Sequence, residues 1–215
     1  MTVANRLRTL LRRSRLTGSL FVAFGSLLPG AVSAEVLVAE LRTRIERAYE
    51  QRDVARIEAA RAVLLGLTAA PDRSPEDATS LAYYAAYARF RQALAVPSNR
   101  ALAQIYLEDC ITELRAVVRG QPGHAEAHAL LGSCYGMSTL YNVFATITRG
   151  FEARRQIALA RSLAPDNPWV VMQDGLADWA TPRFAGGDRE RALGKLERAA
   201  GLFTNAVEAG SEAAA

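Results

Sequence analysis

GFEARRQIALARSLAPDNP (150–168) and GDRERALGKLERAAGLF (187–203) are the stretches whose reading decides the fold. Superposed on their alanines, they match Ala153, Ile157 and Ala160 with Ala192, Leu196 and Ala199. Small, large and small residues at i, i+4 and i+7 share one face of a helix, and the small ones let a neighbouring helix approach closely. Each stretch follows a longer helical run and a break, so 120–203 reads twice as helix, break, helix. The expectation is an all-α fold of stacked antiparallel helix hairpins.

The same periodicity extends outward from this pair. Leu37, Leu41, Ile45 and Ala48 recur on one face of a helix over 36–51. Asp53 is placed to cap a second helix, running to Leu65 and carrying Ile57, Ala60 and Leu64. Gly66 to Pro75 reads as a linker, and Ser74 as the cap of a third helix over 76–96. Tyr83, Tyr87 and Phe90 form a stripe on that helix, with Tyr84 beside it. The stripe fits either core packing or an aromatic patch in a peptide groove. A fourth helix, capped by Ser98 or Asn99, runs to about Arg119 and ends in the connector Gly120-Gln121-Pro122-Gly123. HAEAHALLGSCYGMSTLYNVF (124–144) then reads as one long helix, loosened near Gly136 and Ser138. A further helix over 169–180 and the segment TPRFAGGD (181–188) lead into the last one, which reaches about Glu208. A frayed tail is expected over 211–215.

These residues resemble the tetratricopeptide repeat family, whose hairpins carry Leu-Gly and Tyr in the first helix, alanines in the second and a proline after it. Leu131, Gly132 and Tyr135 match the first helix, and His128 stands where a large aromatic is usual. Ala153, Ala160 and Pro165 match the second; Ala192 and Ala199 match the second helix of another hairpin, with Thr204 in place of its closing proline. Cys110, Leu114, Val117 and Pro122 fit the frame more loosely. The resemblance implies a right-handed α-solenoid over 35–210, best matched at 122–204. Its spacing departs from the family. Cys110 to Ala153 is 43 residues and Ala153 to Ala192 is 39, against a period of about 34. Insertions are therefore expected at 137–149 and 182–186.

The formal charge of +4 does not belong to this domain. Five of the 26 basic residues (Arg6, Arg8, Arg12, Arg13 and Arg15) and none of the 22 acidic ones precede residue 35, leaving 21 against 22. A balanced body offers no footprint for a phosphate backbone, and nucleic acid is not an expected partner. The arginines instead open an export signal over 1–34. An apolar core follows over 16–28, then Pro29-Gly30, then Ala31-Val32-Ser33-Ala34 as the cleavage point, cut after Ala34. The apolar run of about 13 residues falls short of the roughly 20 that span a bilayer, so no membrane span is expected after cleavage. With an Ala/Arg-rich body poor in lysine, the location expected is a bacterial periplasm.

Few residues offer chemistry. Cys110 and Cys134 lie at equal distances from residue 122, the middle of a helix connector, which puts them at one height on facing helices. In an oxidising compartment that spacing allows either a disulfide or two buried thiols. His124 and His128 are spaced i, i+4 but lack a third ligand, and read as solvated or capping histidines rather than a metal site. Glu76-Asp77 and Glu108-Asp109 read as solvated helix faces. No nucleophile motif, phosphate-cradling glycine loop or zinc-protease helix is present. The sequence therefore predicts no enzyme, cofactor or metal. It predicts a scaffold or adaptor that binds an unidentified protein or peptide. A periplasmic small-molecule or transporter-associated binding component is the alternative.

Overall fold

The computed structural model describes residues 34–141 and 146–208. The export signal expected over 1–34 lies outside these residues apart from Ala34, as does the tail expected over 211–215. Among the described residues there is no strand. The helices are α1 (Ala34–Glu50), α2 (Val54–Thr68), α3 (Pro75–Ala95), α4 (Arg100–Gly120), α5 (Ala125–Ser138), α6 (Thr146–Leu163), α7 (Pro168–Ala180) and α8 (Arg189–Glu208), with a 3-10 turn at Arg183–Ala185. None is long and apolar enough to cross a membrane.

Short polar side chains start most of these helices. Asp53 accepts from the Arg56 amide at 3.0 Å, Ser74 from Asp77 at 3.1 Å and Asn99 from Leu102 at 3.1 Å. Asn167 accepts from the amides of Trp169 and Val170, and Asp188 from those of Glu190 and Arg191. Each satisfies amides that the first helical turn leaves without a partner.

Two boundaries differ from the sequence reading. α2 continues through Gly66 to Thr68, because an exposed glycine costs a helix only about 1 kcal/mol and Leu64 is already anchored in the core. The helix expected over 124–144 stops at Ser138. There the hydroxyls of Ser138 and Thr139 donate to the carbonyls of Tyr135 and Gly136, and the chain turns through Thr139–Tyr141. Arg100 holds this turn to α4, donating to the Leu140 carbonyl at 2.6 Å and lying 5.2 Å from the Tyr141 ring centre. α6 begins at Thr146, so both helices extend into the segment 137–149 where an insertion is expected.

Each helix packs against the next, and the odd-numbered ones also meet in sequence: α1 touches α3, α3 touches α5, and α5 touches α7. The main core gathers Leu41, Ile45, Ile57, Leu64, Leu81, Tyr87, Leu107 and Leu114 from α1 to α4, and extends into α5 through Leu130 and Leu131. A smaller one holds Ala129, Ile157, Ala160 and Val170. The aromatic stripe belongs to the core, with Tyr83, Tyr87 and Phe90 buried and Tyr84 partly so.

Glycines set the distance between α5 and α6 and between α7 and α8. A β-carbon on Gly132 would stand 2.8 Å from Ile157 Cγ1 and 2.9 Å from the Ala153 carbonyl oxygen. One on Gly175 would stand 3.0 Å from Leu196 Cδ2. Ile157 and Leu196 are the large residues between the paired alanines, so the two contacts repeat. Ala160, Ala192 and Ala199 are buried, and Ala153 is partly so.

Cys110 of α4 and Cys134 of α5 are joined by a disulfide, their Cα atoms 6.6 Å apart and both residues fully buried. Polar links reinforce other helix pairs. Gln92 is fully buried, and its side-chain amide donates to Glu58 at 2.9 Å; Glu58 also accepts from Arg89 at 2.8 Å. Arg61 pairs with Glu58 and Glu113. Burial pushes the Glu113 carboxyl upward despite that arginine. On α7, Asp174 and Asp178 both face Lys195 of α8, at 2.7 and 2.6 Å.

Candidate functional site

The first turns of α3, α5 and α7 lie around one cleft. Glu76 and Ser80 of α3, Gln121, Gly123, His124, Ala125 and Glu126 at the start of α5, and Asn167 before α7 enclose about 390 Å³. A volume of that order admits a side chain or a short peptide turn. Asn167 both caps α7 and donates through its side-chain amide to Glu126 at 2.9 Å, which fixes the two helix starts relative to each other.

Aromatic rings stand beside the cleft. Tyr83 packs edge-on against Tyr84 with centroids 5.0 Å apart, and the His124 ring lies 4.9 Å from Tyr83. Trp169, two residues beyond Asn167, meets Phe203 of α8 edge-on at 5.2 Å. From α1, the guanidinium of Arg42 sits 4.7 Å above the Trp169 ring. This stacking links the first helix with the seventh.

The electrostatics follow from burial. Tyr83 is raised well above the ordinary phenol range, chiefly by desolvation and then by the Glu126 carboxylate. Desolvation likewise raises Tyr84. Both rings therefore act as neutral donors and apolar walls. Burial lowers the His124 imidazole, which leaves it neutral near pH 7. A neutral ring is what its role requires, because Nδ1 accepts the Ala127 amide proton at 3.3 Å as the helix cap.

The two histidines do not face a common point. His128 is buried, not solvated; its Nδ1 lies 2.6 Å from the Gln156 side-chain oxygen and its Nε2 2.9 Å from the Pro122 carbonyl. Both nitrogens are thus engaged in holding α5 to α6 and to the connector. Among the described residues, no group of three or more His, Cys, Asp and Glu is placed to hold a metal ion.

Of the other residues singled out in the sequence, Leu131, Gly132, Ala160, Ala192 and Ala199 are packing positions away from the cleft. Pro165 is exposed after α6. Leu131 and Tyr135 line a second cleft of about 430 Å³ between α4, α5 and α6, rimmed by Arg115, Arg119, Glu152 and Arg155. Sequence reasoning missed the cleft at Glu76 and Glu126 because its parts come from three helix starts far apart in the chain. The signal available was the caps: Ser74, His124 and Asn167 mark three helix starts, and an up-and-down array brings alternate starts to one end. No protein-family model matches the chain, and neither a curated protein nor a solved structure matches it.

Proposed function

We propose that the chain is an exported helical-repeat protein of tetratricopeptide type that acts in the bacterial periplasm as a scaffold or adaptor, holding a protein or peptide partner on its odd-numbered helices. The observation that carries this reading is the convergence of α3, α5 and α7 on one open cleft, with Arg42 of α1 stacked on Trp169 of α7. Helical repeats bind extended partners on the surface that successive first helices share. Two further features support the repeat reading: the recurrence of glycine against a large residue at Gly132–Ile157 and Gly175–Leu196, and the sequential contact of each helix with the next. The arginine-rich, then apolar, then small-residue order of 1–34 supports export. The disulfide fits an oxidising compartment.

The test is site-specific photo-crosslinking in a bacterial host that exports the protein, with the reactive group at Ser80 or Gln121 in the cleft and at exposed Thr112 on α4 as the control. The reading expects adducts of defined mass from the cleft positions and none from Thr112. Absence of adducts from the cleft, or equal yields from Thr112, refutes it.

A further inference from the structure

We propose that the second cleft, between α4, α5 and α6, binds a small amphiphilic carboxylate, its head held by Arg115 and Arg119 and its apolar chain laid on Val118 and Tyr135. The site is separate from the cleft at the helix starts. The proposal goes beyond the partner-binding reading and does not rest on it.

The cleft is a product of the packing and is formed before any ligand arrives. α5 packs against both α4 and α6, and the cleft opens between those two with Leu131 and Tyr135 of α5 at its base. The Cys110–Cys134 disulfide ties α4 to α5 next to Tyr135. On the α6 side stands Gln156, only 5% exposed. Its side-chain oxygen lies 2.6 Å from His128 Nδ1, and its side chain also hydrogen-bonds to Glu152. Walls fixed in this way spare a ligand the cost of ordering them.

The charge of the rim selects an anion. It carries three guanidiniums and one carboxylate, a net +2 in a body whose charges otherwise balance. Glu152 is committed to Arg155, which holds it at 2.8 Å and whose hydrogen bonds keep that carboxyl below its ordinary range. Arg115 and Arg119 are exposed and one turn apart on α4. Among the described residues neither has an ion-pair partner, and Arg115 meets Glu152 only through space. A cation is repelled from such a rim.

The base of the cleft asks for more than charge. Val118 and Tyr135 are half-buried, and the Tyr135 hydroxyl makes no hydrogen bond among the described residues. A wholly polar anion would leave this carbon surface wet. A carboxylate on an apolar chain meets both halves: the guanidinium forks donate to its oxygens, and the chain takes Val118 and the Tyr135 ring out of water. The cleft volume of about 430 Å³ accepts a molecule of that size whole.

The test titrates the protein, purified after export, with decanoate below its micelle-forming concentration, and follows the heat of binding. Decylammonium, which reverses the charge, and acetate, which lacks the chain, are the comparisons. Decanoate is expected to bind at least about tenfold more tightly than either. Arg115→Gln and Arg119→Gln each weaken it, the double variant abolishes measurable binding, and added salt acts in the same direction. Arg198→Gln, at an exposed position on α8, leaves it unchanged. Thermal melting checks the fold of every variant. No measurable binding of decanoate overturns the proposal, and so does equal binding of decylammonium or acetate. A normally melting double variant that binds decanoate as before overturns it too. If an acidic peptide binds this cleft and decanoate does not, the occupant is a peptide and the proposal fails. Crosslinking from Ser80 and Gln121 reports on the other cleft, so each reading stands or falls alone.

Discussion

Replacing Gly132 with alanine opposes two effects of known size. Alanine is favoured over glycine inside a helix by about 1 kcal/mol, so the substitution alone would stabilise α5. The new methyl, however, would sit 2.8 Å from Ile157 Cγ1 and 2.9 Å from the Ala153 carbonyl oxygen. Ile157 is buried and unable to swing into solvent, and the carbonyl belongs to the backbone of α6. Forcing a methyl into such a contact costs about 1–3 kcal/mol. The cost exceeds the gain over most of that range, so Gly132→Ala is expected to destabilise by up to about 2 kcal/mol. The control is Gly194→Ala on α8, where a β-carbon meets nothing within 4 Å and the propensity gain stands alone. For a domain of this size 1 kcal/mol moves the midpoint by about 2–4 °C, so melting followed by circular dichroism should show Gly132→Ala falling and Gly194→Ala rising. If both rise together, the close approach of α5 and α6 does not exist as described.

Reduction of Cys110–Cys134, which lie 24 residues apart in sequence, is expected to lower stability by about 3 kcal/mol, read as a drop in melting temperature with reductant and two newly titratable thiols. Hydrogen bonds from Arg191 lower Asp178 to about 2, with Lys195 assisting. A carboxylate depressed in the fold stabilises it fully above the unfolded value near 4, and that contribution fades as pH falls towards 2. Asp178→Asn should therefore cost about 1 kcal/mol at pH 7, after allowance for solvent screening, and close to nothing near pH 2, compared by denaturant titration at both. Gln92→Leu should cost about 2 kcal/mol in the same assay, because Arg89 and Glu58 each lose a buried partner.

Helix existence was legible because the periodic apolar residues and the caps Asp53, Ser74 and Asn99 are local signals. The end of α5 was less so. Gly136, Ser138 and Thr139 all tolerate a helix, and the turn is secured by Arg100, nearly forty residues earlier. Gly175 escaped notice although it repeats the role of Gly132. The residue before Gly132 is Leu131, whereas the one before Gly175 is Asp174, a buried carboxylate that only Lys195 and Arg161 of other helices make acceptable. The solvated or capping reading of His128 failed because its two hydrogen-bond partners, Gln156 and Pro122, are invisible to periodicity. The cleft was hidden for a similar reason, since spacing along the chain does not report which helix starts meet in space.

The unequal division of the interior governs how the molecule comes apart. α1 to α5 share the broad cluster with the disulfide inside it, while α6 and α7 are anchored on a handful of small side chains. Local opening spreads from the thinner end, as such units loosen in order of the apolar surface each conceals. Asn167 and Trp169 depart with that end, whereas Tyr83 and Glu126 stay in place. On the proposed reading, a bound partner would then be lost while α1 to α5 still hold together, so release precedes unfolding.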